Sequence, residues 1–151
     1  MATDPGDFVD GDVLSAADMN ALPAGVRDYA TQASDQTTSG TTELAVITGA
    51  SFTVPSGRKL RISCTFSGFG NTASDTFAIK LKRGATVVHT TNIQTQAGTY
   101  LPGLTFIGYD APSGGSYTYS CSITRTAGTG TFTMKGTATF SNLLLVEDIS
   151  T

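Results

Sequence analysis

His89, in Val87-Val88-His89-Thr90-Thr91, is the one imidazole in the chain. Any Ser-His-Asp or Cys-His unit would have to be built on it. No nucleophile-elbow pattern accompanies it, and strand alternation groups His89 with Val87 and Thr91, the setting of a surface or interface histidine. Asp75, Asp110, Glu147 and Asp148 are the carboxylates that could be paired for glycosidic acid–base work. Such pairs act across about 5 to 9 Å, a separation the sequence does not specify, and Glu147-Asp148 sits at the chain end. Metal chemistry lacks its spacing, since there is no CxxC, HxxxH or HExxH. Asp4-Pro5-Gly6-Asp7, with Asp10 and Asp12 nearby, offers calcium-type oxygens, but no loop closes on a glutamate as an EF-hand requires. A solvated acidic segment is the simpler reading. Gly68-Phe69-Gly70-Asn71-Thr72-Ala73 has the outline of a dinucleotide fingerprint. A strand follows it rather than a helix, so a phosphate would find no helix N-terminus. The expectation is a non-enzymatic chain with no catalytic residue, cofactor or metal.

Cys64 and Cys121 are the two thiols. Alternation turns Cys64 inward with Leu60, Ile62 and Phe66, and Cys121 inward with Tyr117, Tyr119 and Ile123. Both therefore point into a core. Two buried free thiols are expected for a protein made in a reducing cytosol, with a disulfide as the alternative.

The elements that would position these groups are strands. They are expected near 44–48, 50–54, 58–66, 75–82, 85–92, 99–109, 115–125, 129–140 and 142–148, separated by turns rich in Gly and Pro. The fold class is all-β, an antiparallel jelly-roll-like β-sandwich, preceded by a short, partly helical N-terminal arm. Residues 1–42 form the arm and linker, and 43–151 the β-domain. Within the arm, residues 13–22 predict a short helix with Ser15 as N-cap, and a second turn runs through Val26, Tyr29 and Ala33. Neither helix is long enough to hold itself in water. Phe8, Val13, Leu14, Met19 and Leu22 form an apolar set that needs a partner surface, and they are the candidate docking residues.

Composition agrees with a two-part chain. Up to Gly40 seven aspartates face one base, Arg27, and every other basic residue follows Leu44. Charged residues are only 14% of the 151, so hydroxyls and backbone must carry solubility. A net charge of −3 without a concentrated basic face argues against nucleic acid. No apolar run approaches the roughly 18 residues of a membrane span, and the N-terminus has no basic-then-apolar export signal. Association with a partner surface is expected, because strands such as Thr99 to Tyr109 carry more apolar surface than one sandwich can bury.

Two resemblances follow from the motifs. Leu60-Arg61-Ile62-Ser63-Cys64 with Ser67-Gly68-Phe69, and Tyr119-Ser120-Cys121, resemble immunoglobulin B and F strands. The core Trp of those domains is missing, and Lys80-Leu81-Lys82 is a poor C strand. The second covers nearly the whole chain. Phe8-Val9-Asp10-Gly11-Asp12-Val13-Leu14-Ser15-Ala16-Ala17-Asp18-Met19-Asn20 resembles the opening of many structural proteins of tailed phages, especially of actinobacterial hosts. Leu143-Leu144-Leu145-Val146-Glu147-Asp148-Ile149 is similar to the close of the same proteins, although Ser150-Thr151 stands where they continue Gly-Pro. Phe52-Thr53-Val54-Pro55-Ser56-Gly57-Arg58 and Ala127-Gly128-Thr129-Gly130-Thr131 fit their sandwich, itself similar to the trimeric jelly rolls of the tumour-necrosis-factor and C1q type. The resemblance implies a virion protein assembled in the host cytoplasm, foremost a capsid decoration protein. Its arm would dock on the phage major capsid protein and its β-domain would form a homotrimer. A minor tail protein held by tail proteins is the alternative. A secreted Ig-like or carbohydrate-binding module is the alternative of another class.

Overall fold

Every second residue from Leu60 to Phe66 is apolar, and each of them is buried. A strand patterned this way must press one face against a second layer. The computed structural model describes residues 25–98, 100–137 and 142–150. Its strands are β1 (Val26–Gln32), β2 (Gln36–Thr38), β3 (Leu44–Thr48), β4 (Phe52–Val54), β5 (Leu60–Gly70) and β6 (Thr76–Arg83). They continue as β7 (Thr86–Gln94), β8 (Tyr100–Asp110), β9 (Gly115–Tyr117), β10 (Tyr119–Ala127), β11 (Phe132–Lys135) and β12 (Asn142–Asp148). All ladders between these strands are antiparallel.

β5 organises the larger, six-stranded sheet. β8 pairs along one edge of β5. On the other edge β12 covers Leu60–Thr65 and β11 covers Ser67–Gly70. β1 then extends β12 and β2 extends β11. The opposing sheet runs β3-β10-β6-β7, and β4-β9 forms a small ribbon. The expected antiparallel sandwich is what these residues form.

Between the sheets lie Leu60, Ile62, Phe66, Phe77, Ile79, Leu81, Tyr119, Ile123, Phe132, Met134, Leu144 and Val146, all buried. Phe132 meets Phe66 edge-on at 6.2 Å and Phe77 at 5.4 Å between ring centroids, offsets that aromatic quadrupoles favour. Gly68 lies inside β5 because the Phe132 ring fills the space its side chain would need: an added Cβ would lie 2.5 Å from that ring. The glycine stretch expected to be a turn after residue 66 is therefore strand as far as Gly70. Its tight packing also accounts for the spacing that imitates a nucleotide fingerprint.

Cys64 on β5 and Cys121 on β10 are buried free thiols that meet across the core. Their mutual hydrogen bond, and then burial, push the Cys64 thiol well above its ordinary range. A thiol held protonated is a poor nucleophile. Thiol reagents should leave the native protein unmodified at mildly alkaline pH, and should titrate both cysteines once it is denatured. Finding none after denaturation would show a bridge instead. Cys64→Ser puts a hydroxyl in this apolar site and should cost about 1–3 kcal/mol.

Two expectations for the segment before residue 43 need correction. The turn of helix through Val26, Tyr29 and Ala33 is strand β1, in register with β12. Ser34 to Thr42, read as linker, contains β2, which pairs β11 and buries Thr38. Val, Tyr and Thr suit a strand, and the open edge of β12 supplies the backbone partners that decide the matter. The proposed helix at 13–22 and the docking set Phe8, Val13, Leu14, Met19 and Leu22 lie outside the described residues.

Candidate functional site: the outer face of the six-stranded sheet

Of the four carboxylates singled out for catalysis, the fold sets Asp75 apart, while Asp110 and Asp148 flank Leu60 in one register row, and each of the four is engaged by its own partners. Asp75 is buried at one end of the sandwich. Its two oxygens accept the backbone N–H of Thr129 at 3.1 Å and of Gly130 at 2.7 Å. Asp110 lies at the opposite end, where it accepts the Tyr119 hydroxyl at 2.8 Å and pairs with Arg83 at 3.2 Å. Burial, and then that bond to Asp110, push the Tyr119 hydroxyl well above the usual phenol range. Glu147 and Asp148 are adjacent in β12 and so face opposite ways. Glu147 accepts two bonds from Arg61 at 2.9 and 2.7 Å on the outer face. Asp148 takes Arg27 at 2.9 Å and the Ser150 N–H at 3.0 Å, with Arg58 at 3.7 Å. Burial opposes ionisation of Asp148, but Ser150, Arg27 and Arg58 outweigh it and hold its carboxyl below the ordinary range. All four are structural acceptors.

His89 is half-buried on β7 with Nε2 at 2.8 Å from Thr91 Oγ1, a hydroxyl of its own strand. Among the described residues, no group of three or more His, Cys, Asp or Glu side chains is placed to hold a metal ion.

The outer surfaces of the two sheets differ in kind. On the β3-β10-β6-β7 sheet Lys80 and Lys82 reach across β10 to share Glu43, Lys80 at 2.8 Å. Hydrogen bonds from Lys80 and then Lys82 bring the Glu43 carboxyl down to about 2 against an ordinary 4.5. Its contribution to stability is complete above pH ~4.5 and disappears as pH falls towards 2. Unfolding midpoints should therefore drop through that acid window. Glu43→Gln should flatten the drop, and an unchanged acid limb in the variant would refute the assignment.

The six-stranded sheet instead exposes apolar side chains. Its registers align Tyr29 (β1), Leu145 (β12), Ser63 (β5) and Ile107 (β8) in one row across the face. The next row is Val26, Glu147, Arg61 and Tyr109. Towards the other end Tyr100 stands beside Phe69. Tyr29 is 68% and Tyr109 66% exposed. Among the described residues, this face holds five of the seven exposed large apolar side chains: Val26, Tyr29, Tyr100, Ile107 and Tyr109. They stand on the two flanks of this face with β12 and β5 between them, and they make it the more apolar of the two outer surfaces. Composition had flagged the β8 part, Thr99 to Tyr109. The β1 part carries no such signal, because the sequence reads Val26 and Tyr29 as a helical turn and the β12 edge that makes them strand lies more than 100 positions away.

No protein-family model matches the chain, and no curated protein matches it. Among solved structures it is similar to a family 6 carbohydrate-binding module of Cellvibrio mixtus lichenase 5A, in complex with cellotriose. The identity is 16%, over 85% of this chain and 99% of that one, with a TM-score of 0.39. It is similar also to the CBM22-1 xylan-binding domain of Paenibacillus barcinonensis Xyn10C, at 11% identity, 85% and 91% coverage and TM-score 0.29. A third likeness is to infectious bursal disease virus VP2 in a subviral particle. It stands at 12% identity over 85% of this chain and 39% of the viral one, TM-score 0.30. These are remote likenesses of sandwich architecture, with no family assignment.

Proposed function

We propose that this chain is a non-enzymatic structural protein of a tailed-phage virion, a decoration protein of the head surface. Residues 1–24 attach it to the major capsid protein, and the sandwich associates into a trimer above the attachment point. The observation that carries the reading is the outer face of the six-stranded sheet. Tyr29, Ile107 and Tyr109 are large, exposed and gathered on one surface, as in a subunit whose neighbours cover it. The resemblance of the Phe8–Asn20 and Leu143–Ile149 runs to phage structural proteins supplies the particle. Both runs have a physical use on this reading. The first brings apolar side chains that need a surface, and the second is β12, the strand that joins β1 to β5.

Gold-labelled protein added to particles that lack it, and imaged in negative stain, tests the proposal. Regular labelling of the head is the expected result. Label confined to the tail would reassign the chain to a tail appendage, and no label on either would refute a virion role.

A further inference from the structure

We propose that, in a chain not yet attached to a particle, residues 13–22 lie as a helix in the trough between the β1 and β8 flanks of the outer sheet face. This deepens the reading given above and rests on it, because the segment that covers the face is the one that attachment takes away. The trough has tall sides and a low floor. Tyr29 on β1 and Ile107 and Tyr109 on β8 are 68%, 43% and 66% exposed. Ser63, Thr65 and Leu145 between them are half-buried. Three strand spacings separate β1 from β8 through β12 and β5, about 14 Å. An α-helix with its side chains is about 10–12 Å across. A second flat face laid on this one would meet the sides first and leave the floor unfilled, so a single helix is the better fit.

The chain enters the sheet at one end of the trough. Val26 opens β1 in the row of Glu147, Arg61 and Tyr109. Gly25, just before it, is pinned there by the Asp148 N–H on its carbonyl at 2.9 Å. Its φ of +54° breaks the line of the strand. The middle of the trough is about 7 Å from β1, and the three steps from Leu22 to Gly25 span up to about 10 Å. Ten helical residues are about 15 Å long, which matches the about 14 Å along β5 from the row of Arg61 to that of Thr65. As a helix the segment sets Val13, Leu14, Ala17 and Ala21 on one face, and the two alanines let its backbone approach the floor. Residues 1–24 carry five aspartates and no Lys or Arg. Arg61 neutralises Glu147 on the floor, so the floor does not repel them. Left apart, the anchor side chains and the flank tyrosines would both stand in water until a particle is met. In contact, each covers the other.

The test uses the isolated full-length protein. Cys64 and Cys121 are buried, so a spin label on the Ser15→Cys variant attaches at one place, and Ser15 lies off the apolar helix face. The label should erase the amide resonances of Ser63, Thr65 and Leu145 and spare those of Lys80 and Ser120 on the other sheet. Adding Leu14→Asp/Leu22→Asp, or Ile107→Asp from the opposite side, should restore the lost resonances while the circular dichroism of the fold persists. Spin-labelled chain of natural isotope content, mixed with isotope-enriched chain that carries no label, should erase nothing. Losses in that mixture would give the face to a second copy and overturn the proposal. A label that reaches both sheets or neither, or variants that leave the losses unchanged, would overturn it as well. No particle enters this experiment, so the contact can fail while attachment to the head stands, and hold where attachment fails.

Discussion

Removing residues 1–24 is expected to leave a folded, β-rich trimer that no longer binds the particle, whereas removing residues 1–40 is expected to unfold it. The difference lies in β1 and β2. The longer deletion strips the antiparallel ladder from β12 and takes Arg27 from Asp148, a pair 2.9 Å apart whose carboxylate side chain is 1% exposed. Arg58 at 3.7 Å and the Ser150 N–H still face that carboxylate, so this part of the loss stays below the ~3–5 kcal/mol of a buried charge left with no partner. Loss of β2 also uncovers an edge of β11. Against a total stability of about 5–15 kcal/mol for a domain, these losses together approach the whole. The shorter deletion touches none of them and removes instead Phe8, Val13, Leu14, Met19 and Leu22. Burying each large apolar side chain is worth about 1.5–3 kcal/mol, multiplied in effect by three arms per trimer. Thermal melts and co-sedimentation with particles check both halves. A 1–24 deletion that decorates particles as well as the full chain shows that the arm is not the anchor. A 1–40 deletion that melts like wild type shows that β1 and β2 are dispensable.

Strands whose two faces meet different surroundings were legible in the sequence. β5 alternates apolar with polar or small residues because one face is core and the other is not, and period 2 records that directly. Leu44–Thr48 and Asn142–Asp148 also fall where strands are expected, through short apolar runs rather than alternation. β1 was not legible, because Val26 to Gln32 buries little on either side. Its conformation is decided by the open edge of β12 more than 100 positions away, and no local pattern encodes that. The inward turn of both cysteines followed from parity, but which partner each would face depends on how the sheets stack. The interaction face needed registers: Tyr29 and Ile107 share a row only through Leu145 and Ser63. The carboxylates misled for a related reason. A sequence shows that an acid is present, and only the fold shows what already occupies its lone pairs.

Asp75 is the sharpest case. As a catalytic acid it would be open to a substrate, and its replacement would leave stability largely intact. In the fold it is 2% exposed and closes the Ala127–Thr131 turn by accepting the Thr129 and Gly130 N–H groups. Gly128 sits at φ +89°, and an added Cβ there would collide with the same carboxylate, so the turn is wrapped around this one side chain. Arg125 completes the arrangement by donating to the Gly130 carbonyl at 2.6 Å. Asp75→Ala leaves the Thr129 N–H and the buried Gly130 N–H without their acceptor. With about 1.5–3 kcal/mol for each hydrogen bond to a charged acceptor, the loss should be about 3–5 kcal/mol. Asp75→Asn keeps one acceptor oxygen and should lose roughly half as much. Asp35→Ala, which removes an exposed acid that pairs with Lys135 and accepts the Gly136 N–H at 3.1 Å, should lose less than Asp75→Ala, since the exposed ion pair contributes weakly and only one backbone donor loses its acceptor. Urea unfolding midpoints for the three variants should therefore rank Asp35→Ala nearest wild type, then Asp75→Asn, then Asp75→Ala. An Asp75→Ala protein as stable as Asp35→Ala would mean that the carboxylate does not hold the turn, and Asp75 would return to the list of groups free to act on a ligand.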